Sequence, residues 1–142
     1  MPVSSSAHQW LLIWAARRMS ADGFLLRGFE APAEQAGSWN RLPAPFTLKG
    51  VQPDAWGERA CDSLLAFAEA KTAGDIDTKH TRAQLRVFGF THLANDPRPC
   101  PLYVAIPRSC AGLLDRVLAD LELISAPHIV RLHIPDIFLS ER

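Results

Sequence analysis

The sequence predicts an α/β fold, with a mixed central sheet flanked by helices in the order α-β-β-β-α-β-α-β. Three observations carry that expectation. After a first helix comes an antiparallel run of strands, and a helical segment then crosses over to a further strand, the pattern of a mixed sheet with helical cover. Leu102 to Ile106 is apolar on both alternating faces, as an inner strand covered on both sides must be. The chain has 142 residues, 48% of them hydrophobic, enough for one core, and reads as a single domain over residues 1–142.

Taken in order, Ser4 to Ser6 can cap a helix from Ala7 to Ser20, with Trp10, Leu11 and Trp14 on a broad apolar face and Arg17-Arg18 at its end. Asp22-Gly23 stops it, and Phe24 to Phe29 reads as a strand. Glu30 to Pro45, with Pro32, Gly37, Pro43 and Pro45, reads as a long irregular loop. Its Trp39 is expected to be exposed, able to stack on a base or sit at an interface. Phe46 to Val51 and Asp54 to Glu58 are short extended pieces around Gln52-Pro53, and Gly57 to Asp62 supplies a turn. Leu64 to Ala70 is the most strand-like segment. A helix then runs from Asp77-Thr78 through Phe90, with Asp75 and Asp77 serving its N-terminus. Asn95 to Pro101 is a proline-rich turn, Leu102 to Ile106 a strand, Ala111 to Leu123 a helix, and Ile129 to Ile134 a final strand.

Composition narrows the function classes. Fifteen Lys and Arg balance fifteen Asp and Glu, so the chain is not of the strongly basic type that announces nucleic acid by charge alone. Cys61, Cys100 and Cys110 are widely spaced without a C-x-x-C pair, which suggests neither a disulfide framework nor a zinc site. The N-terminus lacks a basic leader, and the apolar stretch from Trp10 to Ala16 is interrupted by Arg17-Arg18. A soluble cytoplasmic protein is the expectation.

The chemistry concentrates in the middle. Alternation puts Leu65, Phe67, Glu69 and Lys71 on one face of their strand and Leu64, Ala66, Ala68 and Ala70 on the other. Small residues let a helix approach closely, which makes the strand central. Burying Glu69 and Lys71 beside Phe67 costs several kcal/mol per ion unless each finds a partner. If the preceding strand pairs with this one as a hairpin, Asp54 lies beside Glu69. Two adjacent carboxylates raise each other's pKa, and a divalent cation between them reverses that penalty. Mg²⁺ suits the arrangement because it takes oxygen ligands and keeps several waters. Lys71, on the same face, can stabilise charge on a phosphate or orient a water.

Pro53-Asp54, a spacer, then Glu69-Ala70-Lys71 after an apolar strand resembles the PD-(D/E)xK motif of the restriction-endonuclease-like nuclease superfamily. Gln84, on the following helix, is similar to a glutamine carried by several branches, among them the archaeal Holliday-junction resolvases and the VRR-NUC group. The resemblance covers roughly Ala7 to Ile106. It implies a restriction-endonuclease-like αβββαβ core, here followed by a C-terminal helix and strand. It implies that Asp54 and Glu69 bind Mg²⁺ (Mn²⁺ substituting) together with the backbone carbonyl of Ala70, that Lys71 is catalytic and that Gln84 supports the site. Resolvase-type members also carry an acidic metal ligand on the first helix. Ser6 to Ala21 holds no acidic residue, and His8 or Gln9 occupies that region; Glu30 or Glu34 substitutes if the loop folds back.

The function so implied is a metal-dependent DNA endonuclease, structure-selective in some branches and of a kind found as stand-alone domains in phages and mobile elements. Lys79, His80, Arg82 and Arg86 follow the site, and Lys79, Arg82 and Arg86 share one side of the helix, where they can meet DNA phosphates. A neutral chain of this size offers little surface for gripping a duplex alone, which points to a homodimer or to a larger assembly that supplies the basic groove. The rival is a non-catalytic module of the same fold that holds nucleic acid or a protein partner without cleaving. His128 and His133, near the last strand, read as structural histidines.

Overall fold

The computed structural model describes residues 5–30 and 33–139; Ser4 and Pro32 lie outside them. Helix α1 spans Ser6–Ala21, and the Ser5 side chain caps it by accepting from the His8 amide at 3.1 Å. The strands are β1 (Phe24–Phe29), β2 (Ala55–Arg59), β3 (Leu65–Ala70), β4 (Leu102–Pro107) and β5 (Ile129–Ile134), with α2 (Lys79–Gly89) and α3 (Ala111–Asp120) between β3, β4 and β5. The five strands form one mixed sheet in chain order: β1, β2 and β3 are antiparallel, while β3, β4 and β5 are parallel. The α/β class and the element order therefore agree with expectation.

Each parallel step requires a crossover, and α2 and α3 supply the two. They lie on the same face, since Arg82 of α2 donates to Asp120 at the end of α3. Helix α1 covers the other. Tyr103, paired with Ala68 across β3 and β4, donates its hydroxyl to Asp22 at the end of α1 (2.7 Å). Residues paired across strands share a face, so the alanines of β3 point toward α1. Phe67 points the opposite way, onto Phe88 of α2, with ring centroids 4.9 Å apart. Every residue of β4 is buried, as an inner strand predicts.

Local differences have local causes. Gly57 sits inside β2, and the turn falls at residues 60–63, where Ser63 adopts a left-handed φ of 60° and the Ser63 amide returns to the Arg59 carbonyl at 2.7 Å. Arg59, Asp62, Arg98 and Asp96 pin that turn with a chain of ion pairs. Thr78 caps α2, whereas Asp77 pairs with Arg82. The loop after β1 contains a kinked 3-10 segment at Glu34–Arg41, and Trp39 rests half-buried against Phe29 (5.9 Å) rather than standing exposed. His128 donates from Nε2 to the Gly89 carbonyl, 2.6 Å away, a structural role; His133 is exposed.

Close strand packing gives one stability prediction. A Cβ on Gly57 would stand 2.7 Å from the carbonyl oxygen of Leu25, which is backbone and cannot yield without moving β1. Gly57→Ala is expected to destabilise the fold by about 2 kcal/mol, the scale of overpacking, read as a lower urea midpoint with unchanged slope. An unchanged midpoint contradicts the β1–β2 spacing.

Candidate functional site

Strand register builds the site. Ala55 pairs with Ala68, and the Asp54 amide donates to the Ala68 carbonyl at 3.0 Å, so one further step sets Asp54 across from Glu69. On the other side Phe29 pairs with Ala55, and the Glu30 amide donates to the Asp54 carbonyl at 2.8 Å. Glu30, Asp54 and Glu69 thus form one row crossing three adjacent strand ends.

The row depends on an irregularity. Between Leu26 and Gly28 the β1–β2 register shifts by one, with Arg27 as the extra residue. Without that bulge Phe29 would face Asp54, and Glu30 would point to the opposite face, because a one-residue slip inverts every side chain downstream. The bulge therefore turns Glu30 toward the carboxylates.

Around the row the partners converge. Asp54 accepts from the Ala70 amide through Oδ2 (2.8 Å), which anchors its carboxyl one residue from Glu69. Glu69 is fully buried, and neither side-chain oxygen accepts a hydrogen bond. Its nearest cation is Lys71, with Nζ 3.7 Å from Oε2. Lys71, itself only 8% exposed, follows β3 and donates from Nζ to Oε1 of Gln84. The Gln84 amide is held from behind, since its Nε2 donates to the Gln52 carbonyl at 3.0 Å. His8, in the first turn of α1, reaches Glu30, with Nε2 3.2 Å from Oε2. One ligand atom from each of His8, Glu30 and Asp54 lies within 4.8 Å of the others.

These positions polarise the groups strongly. Burial above all, then the negative charge of Asp54, pushes the Glu69 carboxyl well above the usual carboxylate range. Burial raises Asp54 to about 7, with Glu30 adding to the rise and the His8 charge opposing it. Glu30 moves the other way, to about 2, chiefly because it is hydrogen-bonded by His8. Burial works to lower the His8 imidazole, but Glu30 and Asp54 outweigh it and leave it raised.

The site opens onto a cavity of about 380 Å³ lined by Glu30, Gln52, Asp54, His80 and Gln84 among others. His80 stands one helical turn before Gln84 and faces this cavity. Lys79 and Arg86 are exposed on α2, whereas Arg82 is half-buried and engaged by Asp77 (2.8 Å) and Asp120 (3.0 Å). Asp54, Glu69, Lys71 and Gln84 are therefore brought together. Ala70 shows its amide in contact with Asp54. Of the two acidic residues named as substitutes for a first-helix acid, Glu30 enters the site and Glu34 is exposed. His8 is the residue that spacing alone did not single out from Gln9; the structure places its ring on Glu30.

No protein-family model, curated protein or solved structure matches this chain. Among the described residues no helix is long and apolar enough to cross a membrane.

Proposed function

We propose that the chain is a divalent-metal-dependent nuclease that hydrolyses phosphodiester bonds in DNA on a restriction-endonuclease-like αβββαβ core. One observation carries the reading: Asp54 and Glu69 sit opposite each other on adjacent strands, and Glu69 is fully buried with both oxygens unpartnered. A buried polar group without a hydrogen bond costs about 1–3 kcal/mol. A cation is the partner that such a pair of carboxylates lacks, and the residues present fit one. Asp54 and Glu69 would hold it, with the carbonyl of Ala70, and Mg²⁺ or Mn²⁺ fits an oxygen donor set. A bound dication supplies Lewis-acid polarisation of a phosphate and a lowered pKa for its water.

The chain's own groups set up the rest. Lys71 carries three N–H donors, and its contacts with Gln84 and Glu69 fix the ammonium at the edge of the carboxylate pair. From there it stabilises negative charge developing on a phosphate oxygen. Gln84, braced by Gln52, prevents Lys71 from swinging away. Lys79 and Arg86 on α2, with His80 at the cavity, meet the DNA backbone; Arg82, expected from the sequence to join them, is instead neutralised by Asp77 and Asp120. A second copy of the chain would supply the remaining grip on a duplex.

The test is cleavage of labelled duplex, single-stranded and branched DNA with Mg²⁺ or Mn²⁺. Lys71→Ala is expected to lower the rate by about 10²–10³, the effect of removing one preorganised charge-stabilising group, while leaving DNA affinity within about twofold. Lys79→Gln with Arg86→Gln should instead weaken binding and flatten its salt dependence, the slope changing by about one for each phosphate no longer neutralised. Absence of metal-dependent cleavage on every substrate would move the chain to the class of non-cleaving modules, and full activity in Lys71→Ala would place the chemistry elsewhere.

A further inference from the structure

The carboxylate row does not end at Asp54. Glu30 continues it on β1, turned inward by the Arg27 bulge, and His8 closes it from the first turn of α1, 3.2 Å from Glu30. Two independent features point to a ligand here. Three potential ligand atoms, from His8, Glu30 and Asp54, lie within 4.8 Å of one another. Beside them stands Glu69, fully buried, with both carboxyl oxygens unpartnered.

The donor types matter as much as their positions. Carboxylate and carbonyl oxygens suit Mg²⁺, which binds through few protein ligands and keeps its waters; imidazole nitrogen suits first-row transition ions. We propose that His8, Glu30 and Asp54 form one mixed nitrogen–oxygen centre, with Glu69 beside it, that selects a first-row transition dication over Mg²⁺. Ser5 makes this possible by capping α1 at the His8 amide, which fixes the turn that presents the ring. Glu30 has a double part: it offers an oxygen to the ion, and in the metal-free protein it holds His8 in place. The inference rests on the metal-dependent reading above and adds the identity of the ion and two of its ligands.

Pulsed electron paramagnetic resonance of Mn²⁺ bound to the 142-residue chain reads the first ligand directly. The expected result is ¹⁴N modulation from a coordinated imidazole, replaced by the ¹⁵N pattern when the protein is grown with ¹⁵N-histidine. That measurement needs no variant. His8→Ala should abolish the modulation and lower Mn²⁺ and Co²⁺ affinity, measured by calorimetry, at least about tenfold, while Mg²⁺ affinity changes less than twofold. Glu30→Gln should weaken Mn²⁺ as well. His80→Ala is the control, because His80 lines the same cavity; disappearance of the modulation there instead of in His8→Ala overturns the proposal. So does a wild-type spectrum without nitrogen, or Mn²⁺ affinity indifferent to His8. Should His8→Ala fail to fold, His8→Gln and the labelled wild type decide the matter. Mg²⁺-driven cleavage with no nitrogen at Mn²⁺ keeps the nuclease and removes this centre. Imidazole-ligated Mn²⁺ in a chain that cleaves no nucleic acid keeps the centre and removes the nuclease.

Discussion

Glu69→Met is expected to abolish metal-dependent cleavage and, in the same protein, to raise the stability of the metal-free fold. The two effects have one origin. In the absence of a cation the Glu69 carboxyl is fully buried, no N–H or hydroxyl donor reaches either oxygen, and it crowds the carboxyl of Asp54, a contact that only a shared proton can satisfy. Methionine has nearly the same length and volume, adds no void, and removes two unpaired oxygens. Relief of such a group is worth about 1–3 kcal/mol. Lys71 gives up a pair at 3.7 Å but keeps Gln84 and remains in the field of the Glu30 and Asp54 carboxyls. Its ammonium is therefore not left uncompensated, and the cost on that side is the smaller one. At about 3 °C per kcal/mol for a domain of this size, the metal-free midpoint should rise by roughly 3–9 °C. Cleavage should fall by about 10³ or more, beyond the effect of a single charge-stabilising group, because a ligand is gone. Thermal and urea unfolding in chelator, run beside the cleavage assay, check both. A variant that is destabilised like any truncated core residue would mean that Glu69 is satisfied in solution by something other than a cation. One that still cleaves would remove Glu69 from the reaction.

The cost of burying Glu69 explains how the sequence advertised this site. A glutamate and a lysine at the end of a strand otherwise made of Leu, Ala and Phe break the local pattern, and a break that raises the energy of the fold is where function is expected. Side-chain alternation set Glu69 and Lys71 on one face, and the motif spacing set Asp54 near them. The register that places Asp54 against Glu69 follows from the turn at residues 60–63, where a turn at Gly57 to Asp62 would have set Asp54 against Leu65. Bounds at Phe24–Phe29 and Ile129–Ile134 were readable for the same reason, each strand being closed off by polar or turn-forming neighbours.

Glu30 and His8 were legible only in part, and the cause is physical. Leu26-Arg27-Gly28 carries no mark of a bulge: Arg27 alternates acceptably with its neighbours, and the extra residue is defined by the partner strand. The face on which Glu30 emerges therefore depends on a pairing that only the assembled sheet decides. His8 depends on where α1 begins over the strands, a matter of packing against β3 and β4. The end of α3 shows a similar limit. Its apolar period runs on to Leu123, yet the helix stops at Asp120. Glu122 takes a left-handed φ of 62°, the Leu123 amide turns back to the Leu118 carbonyl at 2.8 Å, and the Glu122 amide bonds Ala119 at 3.1 Å. Those are the two bonds of a Schellman end, made at a glutamate where glycine is the usual signal.

Acid should stabilise the metal-free protein, and a bound dication should reverse that dependence. In the folded chain Asp54 titrates at about 7 rather than 3.8, and Glu69 is also raised. Between roughly pH 4 and 7 the folded state therefore holds protons that the unfolded state has released. Stability must fall as pH rises through that window, since it follows the difference in bound protons. At about 1.4 kcal/mol per unit, Asp54 alone accounts for up to about 4 kcal/mol, an upper bound for so crowded a group. His8, raised as well, adds loss in the same direction as pH climbs past its unfolded value. Glu30 acts oppositely and lower: held near 2, it contributes stability above pH 4.5 that disappears only in stronger acid. The metal-free optimum should thus lie near pH 4–5. With saturating Mn²⁺ or Mg²⁺ the ligands must be deprotonated to bind, so stability should instead climb from pH 5 to 7. Melting temperatures across that range, in chelator and in metal, give the two slopes. Asp54→Asn should flatten the first and weaken the second. A metal-free profile already level between pH 4 and 7, or a slope that survives Asp54→Asn, would show that these carboxyls are charged and compensated without an ion.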